Sequence, residues 1–126
     1  MSKKISAIQL KSSIDLMLRE YGEEVRQIVP KVTKEVLVEA SDELKSAGDF
    51  KGKKYRRSWT YDIDDFGYRV EGIVYNEKHY QLTHLLEFGH VKQNGGRTRA
   101  FPHIEPVNKQ VQEKFEKKLI ERIQGL

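Results

Sequence analysis

The sequence predicts an α+β fold in which a long kinked N-terminal helix and a C-terminal helix pack on a small antiparallel β-sheet. Two periodicities support this prediction. Apolar residues recur at intervals of three and four over 6–46 and 106–123, whereas over 55–75 they follow the period of two expected for strands. The chain has 126 residues, of which 37% are hydrophobic, so it can form a modest core, and we expect a single domain over 1–126.

The helical pattern over 6–46 has one interruption. Pro30 lacks a backbone N–H and crowds the carbonyl group of Arg26, so we expect a kink or a break near Val29 and two helical segments. An unbroken helix would be about 60 Å long at ~1.5 Å per residue, which is longer than a domain of this size is wide. The excess length suggests contact with a partner subunit.

Residues 55–75 are predicted to form a β-hairpin that begins at Tyr55 and turns at 64–67. Gly72 in the return strand suggests a bulge or a close backbone approach. The aromatic stripe that contains Trp59 has two interpretations. It forms the core face of the sheet under the long helix, or it presents a stacking surface to nucleic acid.

A short helix over 79–88 and a loop over 89–104 follow the hairpin. Gly89 suits the left-handed residue that often closes a helix, and the Asn-Gly-Gly sequence at 94–96 predicts a tight reversal. Three apolar residues of the short helix have the i, i+3, i+4 spacing of a single face: Leu82, Leu85 and Leu86.

The loop is cationic, and its exit leads into the last helix. Lys92, Arg97 and Arg99 flank the reversal. Pro102 favours extended chain at the residue before it. Pro106 lies at or near the first turn of the final helix, where its missing N–H does no harm.

Glu87 is the most informative charged residue because it stands between two apolar residues and is expected to be partly buried. A buried carboxylate needs partners, or its pKa rises. Arg97, Arg99 and the backbone donors of the glycine loop are the candidates. We therefore expect Glu87, Phe88 and Gly89 to form a structural hub that pins the loop, with an acid–base role for Glu87 as the alternative.

An enzyme is not expected. His84, Glu87 and His90 could bind a metal ion for a hydrolase only if the helix continued through Gly89, and glycine there argues against it. The sequence lacks the His-Glu-x-x-His order of zinc peptidases, a nucleophile elbow and a phosphate-binding glycine loop. We expect no catalytic residue, no metal and no cofactor.

Charge and composition point to a soluble protein with one basic segment. The formal net charge is +4, there are no cysteines, and the N-terminus has neither a signal peptide nor a membrane span. The basic segment can attract phosphate, or it can be a solvated loop and strand edge. It contains five cations and no acid: Lys51, Lys53, Lys54, Arg56 and Arg57.

Several short motifs occur in a fixed order that resembles one known family. They are Gly52 to Trp59 (GKKYRRSW), Val74-Tyr75-Asn76, Tyr80, Leu86-Glu87-Phe88-Gly89 and Pro102-His103-Ile104-Glu105-Pro106. This order resembles the head–tail joining, or tail-completion, proteins of long-tailed bacteriophages, the gene-product-ten-like group. Histidine stands at position 103, where an aromatic residue is common in that family.

The resemblance implies a virion protein of the neck that acts without catalysis in a homo-oligomeric ring, by contact with other phage neck and tail proteins. Arg97 and Arg99 would be loop contacts, and the protein would be in the host cytoplasm before assembly. Basic loops facing the lumen would touch packaged DNA without reading its sequence. The alternative is a small non-sequence-specific DNA-binding module that uses the 51–57 segment and the Trp59 stripe.

Overall fold

The computed structural model describes residues 6–11, 22–48, 52–67 and 69–126. It confirms an α+β fold. In these ranges, four helices accompany a three-stranded antiparallel sheet, in the order β1 (Ser6–Lys11), α1 (Glu23–Ser46), α2 (Lys53–Arg57), β2 (Trp59–Asp65), β3 (Val70–Asn76), α3 (Leu82–Phe88) and α4 (Ile104–Gln124).

The sheet has the strand order β1-β3-β2, with β3 in the centre. The predicted hairpin is confirmed: β2 and β3 pair without interruption from Trp59 opposite Asn76 to Asp65 opposite Val70. Its turn contains Gly67 with a φ of 84°, and the Gly67 N–H donates to the Asp65 carboxylate at 2.8 Å.

The prediction of helix from residue 6 onward is wrong, because Ser6–Lys11 is the strand β1. Ile8 and Leu10 are buried on one side of it while Gln9 between them is exposed, which is a period of two. Pairing with β3, sixty or more residues away, decides between this period and the helical one. The helical pattern predicted for 12–21 lies outside the described residues.

The predicted break at Pro30 is also wrong, because α1 is one helix of 24 residues with Pro30 inside it. The face of α1 beside the proline is buried: Val29 and Val32 are 0% exposed and Thr33 is 2% exposed. The Thr33 hydroxyl donates to the Val29 carbonyl oxygen at 2.7 Å. Burial of this face therefore outweighs the backbone hydrogen bond that proline removes.

The first strand of the hairpin begins at Trp59 and not at Tyr55 as predicted, because Lys53–Arg57 is the short helix α2. Tyr55 is buried on α2, and the backbone N–H of Ser58 donates to the Tyr55 carbonyl oxygen at 3.1 Å to end the turn. An alternating pattern in sequence thus runs across a helix and a strand.

The two long helices cover one face of the sheet. α1 lies across β2 and β3, and α4 packs beside α1 and against β1. Gly72 permits this contact, since a Cβ atom there would lie 2.5 Å from Leu37 Cδ1. The predicted close approach at Gly72 is therefore to helix side chains, and the register shift of the sheet lies in β1, between Ser6 and Ile8.

The predicted final helix is confirmed as α4, and it runs antiparallel to α1. Its buried stripe joins the core through Val107, Val111, Phe115 and Leu119. A ladder of ion pairs joins the solvent side of the two helices: Arg122 to Glu35 at 2.7 Å, Lys118 to Glu39 at 2.8 Å and Lys114 to Glu43 at 3.0 Å.

Candidate functional site

The carboxylate of Glu87 caps the N-terminus of α4 from a different helix, α3. Its Oε1 accepts hydrogen bonds from the backbone N–H groups of His103 at 2.7 Å and Ile104 at 2.9 Å, and its Oε2 accepts from Glu105 at 3.0 Å. A helix start leaves such donors without intrahelical partners, and its dipole favours a negative charge. Glu87 is 6% exposed, so this cap is part of the core.

The prediction of a buried, hydrogen-bonded Glu87 is confirmed, but its predicted partners are wrong. Arg97 is exposed, and its guanidinium lies 3.5 Å from the Phe88 carbonyl oxygen. Arg99 lies over the Phe101 ring, at 5.0 Å from the ring centroid. The chain over 88–102 leaves α3 and returns to it, so the donors that reach Glu87 are those beyond the loop.

His103 connects this cap to α2, and it is 1% exposed. Its Nδ1 lies 2.9 Å from Glu87 Oε1 and 2.7 Å from the Phe101 carbonyl oxygen, so both neighbours of Nδ1 are acceptors. Nδ1 therefore carries a proton. In the neutral ring, Nε2 then accepts the hydrogen bond of the Tyr55 hydroxyl at 2.8 Å.

Asn76 connects the same group to the sheet. It is 0% exposed, its Nδ2 donates to the Tyr55 carbonyl oxygen at 2.8 Å, and its Oδ1 accepts from the His79 N–H at 2.9 Å. We call Tyr55, Asn76, Glu87 and His103 the buried polar cluster. It joins the end of β3, the helices α2 and α3, and the start of α4.

Two groups of the cluster hold fixed protonation states at neutral pH. Burial raises the pKa of the Glu87 carboxyl, but the three backbone hydrogen bonds and the nearby His103 ring outweigh burial and hold that pKa below its usual value. Burial, followed by the charge of Glu87, raises the pKa of the Tyr55 hydroxyl well above its usual value. Neither group is suited to exchange protons near pH 7, which favours a structural role for Glu87.

Sequence reasoning missed the roles of Tyr55, Asn76 and His103. The sequence did contain a signal for the cap. His103 precedes the predicted final helix, and histidine is not one of the usual capping residues Ser, Thr, Asp or Asn, so the helix start needs an acceptor from elsewhere in the chain. An asparagine at the end of a strand, which often bonds to the backbone of the following turn, was the signal for Asn76.

Trp59 belongs to the core and not to a stacking surface. It is 2% exposed, and its ring packs edge-on against Tyr55 and His103 at centroid distances of 5.6 and 6.2 Å. Its indole N–H finds no acceptor among the described residues. The hypothesis that the Trp59 stripe stacks on nucleic acid is therefore wrong.

Beyond the cap, residues 89–100 form a small hairpin, which we call the 89–100 hairpin. Val91 and Arg97 form an antiparallel bridge, and the Lys92 N–H donates to the Gly96 carbonyl oxygen at 2.6 Å. This confirms the predicted reversal at 94–96. The side chains of 90–97 are exposed, so the hairpin lies on the surface above the buried polar cluster.

Gly89 allows the hairpin to leave α3. Its φ of 71° is positive, as in the predicted left-handed residue, but its ψ of 173° is extended and lies outside the left-handed helical region. A Cβ atom there would lie 2.6 Å from the Thr98 carbonyl oxygen. Two hydrogen bonds close the base of the hairpin: Thr98 N–H to the His90 carbonyl oxygen, and His90 N–H to Thr98 Oγ1, both at 2.8 Å.

Large apolar side chains line the surface at the end of α3 and at the start of the hairpin. Leu82, Leu85 and Leu86 were predicted to share one face of the short helix, but they differ in burial. Leu86 packs against the core, whereas Leu82 and Leu85 are 40% and 41% exposed. Phe88 and Val91 are 67% and 63% exposed. We call these four exposed residues the apolar strip: Leu82, Leu85, Phe88 and Val91.

The basic segment is divided between structural and exposed cations. The Arg56 guanidinium donates to the carbonyl oxygens of Ala47 and Gly48, both at 2.8 Å, and so secures the end of α1. Lys53, Lys54 and Arg57 are exposed on α2, and Lys51 lies outside the described residues.

The remaining predicted residues lie near the helix starts. Pro102 is exposed, and Pro106 is in the first turn of α4, as predicted. The residues of the metal hypothesis do not converge, because Glu87 caps α4, His84 stacks on Phe88 and His90 contacts Thr98. In the described ranges, no group of three or more metal-binding side chains is placed to hold an ion, and no helix has the length and apolarity to cross a membrane.

Comparison with known proteins assigns the chain to a family. A family model described as "Bacteriophage HK97-gp10, putative tail-component" matches residues 12–89, which is more than half of the chain. The chain belongs to the HK97 gp10-like family. The sequence-based resemblance to phage tail-completion proteins is thereby confirmed at the level of the family. No curated protein and no solved structure matches the chain.

Membership of the HK97 gp10-like family gives the chain a structural role in a phage tail and a place in the virion. The matched stretch runs through α1, the β2–β3 hairpin and α3 and ends at Gly89. It therefore includes Glu87, but it excludes most of the 89–100 hairpin and all of α4.

Proposed function

We propose that this HK97 gp10-like protein joins tail to head at the neck of the virion, as a subunit of a homo-oligomeric ring that acts by protein–protein contact and not by catalysis. Its membership in a tail-component family supports the tail role. The observation that carries the finer proposal is the exposed 89–100 hairpin, flanked by the apolar strip and held at its base by the buried polar cluster.

The apolar strip favours an assembly role because water-exposed apolar patches on soluble proteins mark interaction sites. Its members are between 40% and 67% exposed. The hairpin beside it contributes Lys92, Arg97 and Arg99. An apolar centre with a cationic rim is the composition expected of a docking surface.

Deletion of the gene from its phage tests this proposal. Negative-stain images should show filled heads and separate tails, and infectivity should return when the gene is supplied in trans. Complementation with Phe88→Asp should fail, whereas the matched control Ile120→Asp, at a residue that is 47% exposed on α4, should succeed. Normally joined particles without the gene would refute the proposed function.

A second candidate function is contact with packaged DNA. The exposed cations Lys54 and Arg57 line a cavity of about 420 Å³, which is completed by Ser58, Glu77, Lys78 and His79. Replacement of both Lys54 and Arg57 by glutamine should weaken the binding of duplex DNA at low salt. Binding of duplex DNA by the wild type should weaken as the salt concentration rises. Lys117→Gln, at an exposed site on α4, is the control. Absence of binding at low salt would exclude this function.

A further inference from the structure

Three acidic residues lie at or beside the turn between β2 and β3: Asp64, Asp65 and Glu71. Asp64 and Glu71 lie directly opposite each other across the strands, and like charges in that position repel. Glu71 is relieved by Arg69, whose Nε lies 3.5 Å from its Oε1. Among the described residues, Asp64 has no hydrogen bond or ion pair through its carboxylate. A cation from another molecule would relieve the repulsion.

An exposed aromatic ring and a hollow accompany these acids. Phe66 at the tip of the turn is 47% exposed. Beside it, the first turns of α1 form a cavity of about 390 Å³, lined by three apolar or neutral residues, two acids and two cations: Pro30, Gln27, Gly67, Glu23, Asp65, Arg26 and Lys31. Glu24 adds a further acid to the first turn of α1. We call Glu23, Asp64, Asp65, Phe66 and Glu71 the acidic end.

The 89–100 hairpin has the opposite charge. No aspartate or glutamate occurs between Phe88 and Ile104, whereas Lys92, Arg97 and Arg99 do. The Lys92 side chain makes no ion pair or hydrogen bond with the part of the chain that the structure describes. Within the described ranges, the one contact of the Arg97 guanidinium is to the Phe88 carbonyl oxygen, at 3.5 Å. Each surface thus combines charge with exposed apolar side chains: the apolar strip lies beside the cations, and Phe66 lies beside the acids.

The two surfaces lie at opposite ends of the sheet. Strand β2 runs from Trp59, beside the buried polar cluster, to Asp65 at the acidic end. Trp59 and Asp65 are six residue steps apart, and at ~3.3 Å per step the distance between them is about 20 Å. Complementary patches at opposite ends cannot satisfy each other within one subunit. A head-to-tail contact between copies would bring them together, and such a contact closes into a ring when the rotation permits.

We propose that the acidic end of one copy of this chain receives the 89–100 hairpin and apolar strip of the next copy. Phe88 and Leu85 pack against Phe66 and the adjacent hollow, and Arg97 and Lys92 approach Asp64. This proposal rests on the proposed function, and it identifies the surfaces through which neighbouring subunits of the ring touch.

The absence of cysteine from the chain makes a direct test possible. Phe88→Cys and Phe66→Cys are made separately, mixed, and treated with a short bis-maleimide cross-linker, both as purified protein and in particles. The mixture should give an 88-to-66 dimer, whereas either variant alone should give none. The double variant should give a ladder that ends at the closed ring. Ile120→Cys mixed with Phe66→Cys is the control.

An 88-to-88 or 66-to-66 product as the main species would mean a two-fold contact and would overturn the proposal. So would an 88-to-66 yield no higher than the Ile120→Cys control in both preparations. These outcomes are separate from the test of the proposed function. Particles that join normally without the gene would refute that function and leave the cross-link intact.

Charge reversal gives a second readout of the same contact. Arg97→Glu and Asp64→Arg should each lower the cross-link yield, and their combination in one chain should restore it. At 1 M salt, where the screening length falls to about 3 Å, the difference between wild type and Arg97→Glu should shrink. Failure of the combined variant to recover would remove Arg97 and Asp64 from the interface.

Discussion

Replacement of Glu87 by alanine tests the central structural element of this protein. The change removes the acceptor of three backbone N–H groups, at His103, Ile104 and Glu105, from a site that is 6% exposed. The N-terminus of α4 then has no side-chain cap, since His103 provides none. The same change removes one of the ties between α3 and the far end of 88–102, where the Phe101 N–H also donates to the Leu86 carbonyl oxygen at 2.6 Å.

The expected loss follows from these bonds. A hydrogen bond to a charged group contributes about 1.5–3 kcal/mol, and loss of a helix cap costs about 0.5–2 kcal/mol. The three bonds share one carboxylate and do not add, and the N–H of the exposed Glu105 can find water. We expect a loss of about 3 kcal/mol. At a urea m-value of about 1.5 kcal/mol/M, the midpoint should fall by about 2 M.

Trp59 provides the assay because it is the only tryptophan and is 2% exposed, so its fluorescence reports unfolding. Glu105→Ala, which removes an exposed acid from the same helix turn, is the matched control and should change the midpoint little. Amide exchange should rise at 103–105, and protease cleavage should rise in 91–100. A midpoint equal to that of Glu105→Ala, with unchanged exchange, would refute the capping role.

The capping role also predicts a pH dependence. The folded-state pKa of Glu87 lies below the ordinary value of 4.5, so its contribution to the free energy of unfolding is present above that pH. It is lost as the pH falls through the folded-state pKa. The stability difference between wild type and Glu87→Gln should therefore be constant near pH 7 and shrink below about 4.5. A difference that grows on acidification would contradict this sign.

Three further substitutions test the loop and the ladder. Gly89→Ala should cost about 2–3 kcal/mol of unfolding free energy, because it combines a positive φ with a Cβ atom 2.6 Å from the Thr98 carbonyl oxygen. Gly95→Ala, with a φ of 90° but open space, should cost about 1 kcal/mol, and equal urea midpoints would contradict the steric argument. Lys118→Gln removes the 2.8 Å pair with Glu39 and should cost about 0.2–1 kcal/mol, an effect that should vanish in high salt.

Local periodicity was sufficient where an element has one exposed and one buried side. The buried stripe of α4 follows in this way from side chains four residues apart. Strand β1 could not be predicted in this way. Ile8 and Leu10 fit both a strand and the start of a helical stripe, and their pairing with Val74 and Gly72 depends on residues far along the chain.

For the candidate site, the sequence indicated the residue but not its partners. Two apolar neighbours of Glu87 indicated burial, and the glycines indicated a turn. The length and path of the turn decide which donors return to the carboxylate, and no local pattern determines that path. We expected the nearest cations in sequence, Arg97 and Arg99, to pair with Glu87. They lie instead in the exposed hairpin, where they stay in water and avoid the free-energy cost of burial beside the carboxylate.

The ion-pair ladder between α1 and α4 has a consequence for how these helices find their alignment. Both sides of the ladder repeat every four residues: Glu35, Glu39 and Glu43 on one helix, and Lys114, Lys118 and Arg122 on the other. A slip of one helical turn would therefore re-form two of the three rungs, so electrostatics alone would tolerate several alignments. Glu87 has no such repeat, because a single helix start must sit above a single carboxylate. The Glu87 cap therefore selects one of the helix alignments that the repeating ion pairs would allow.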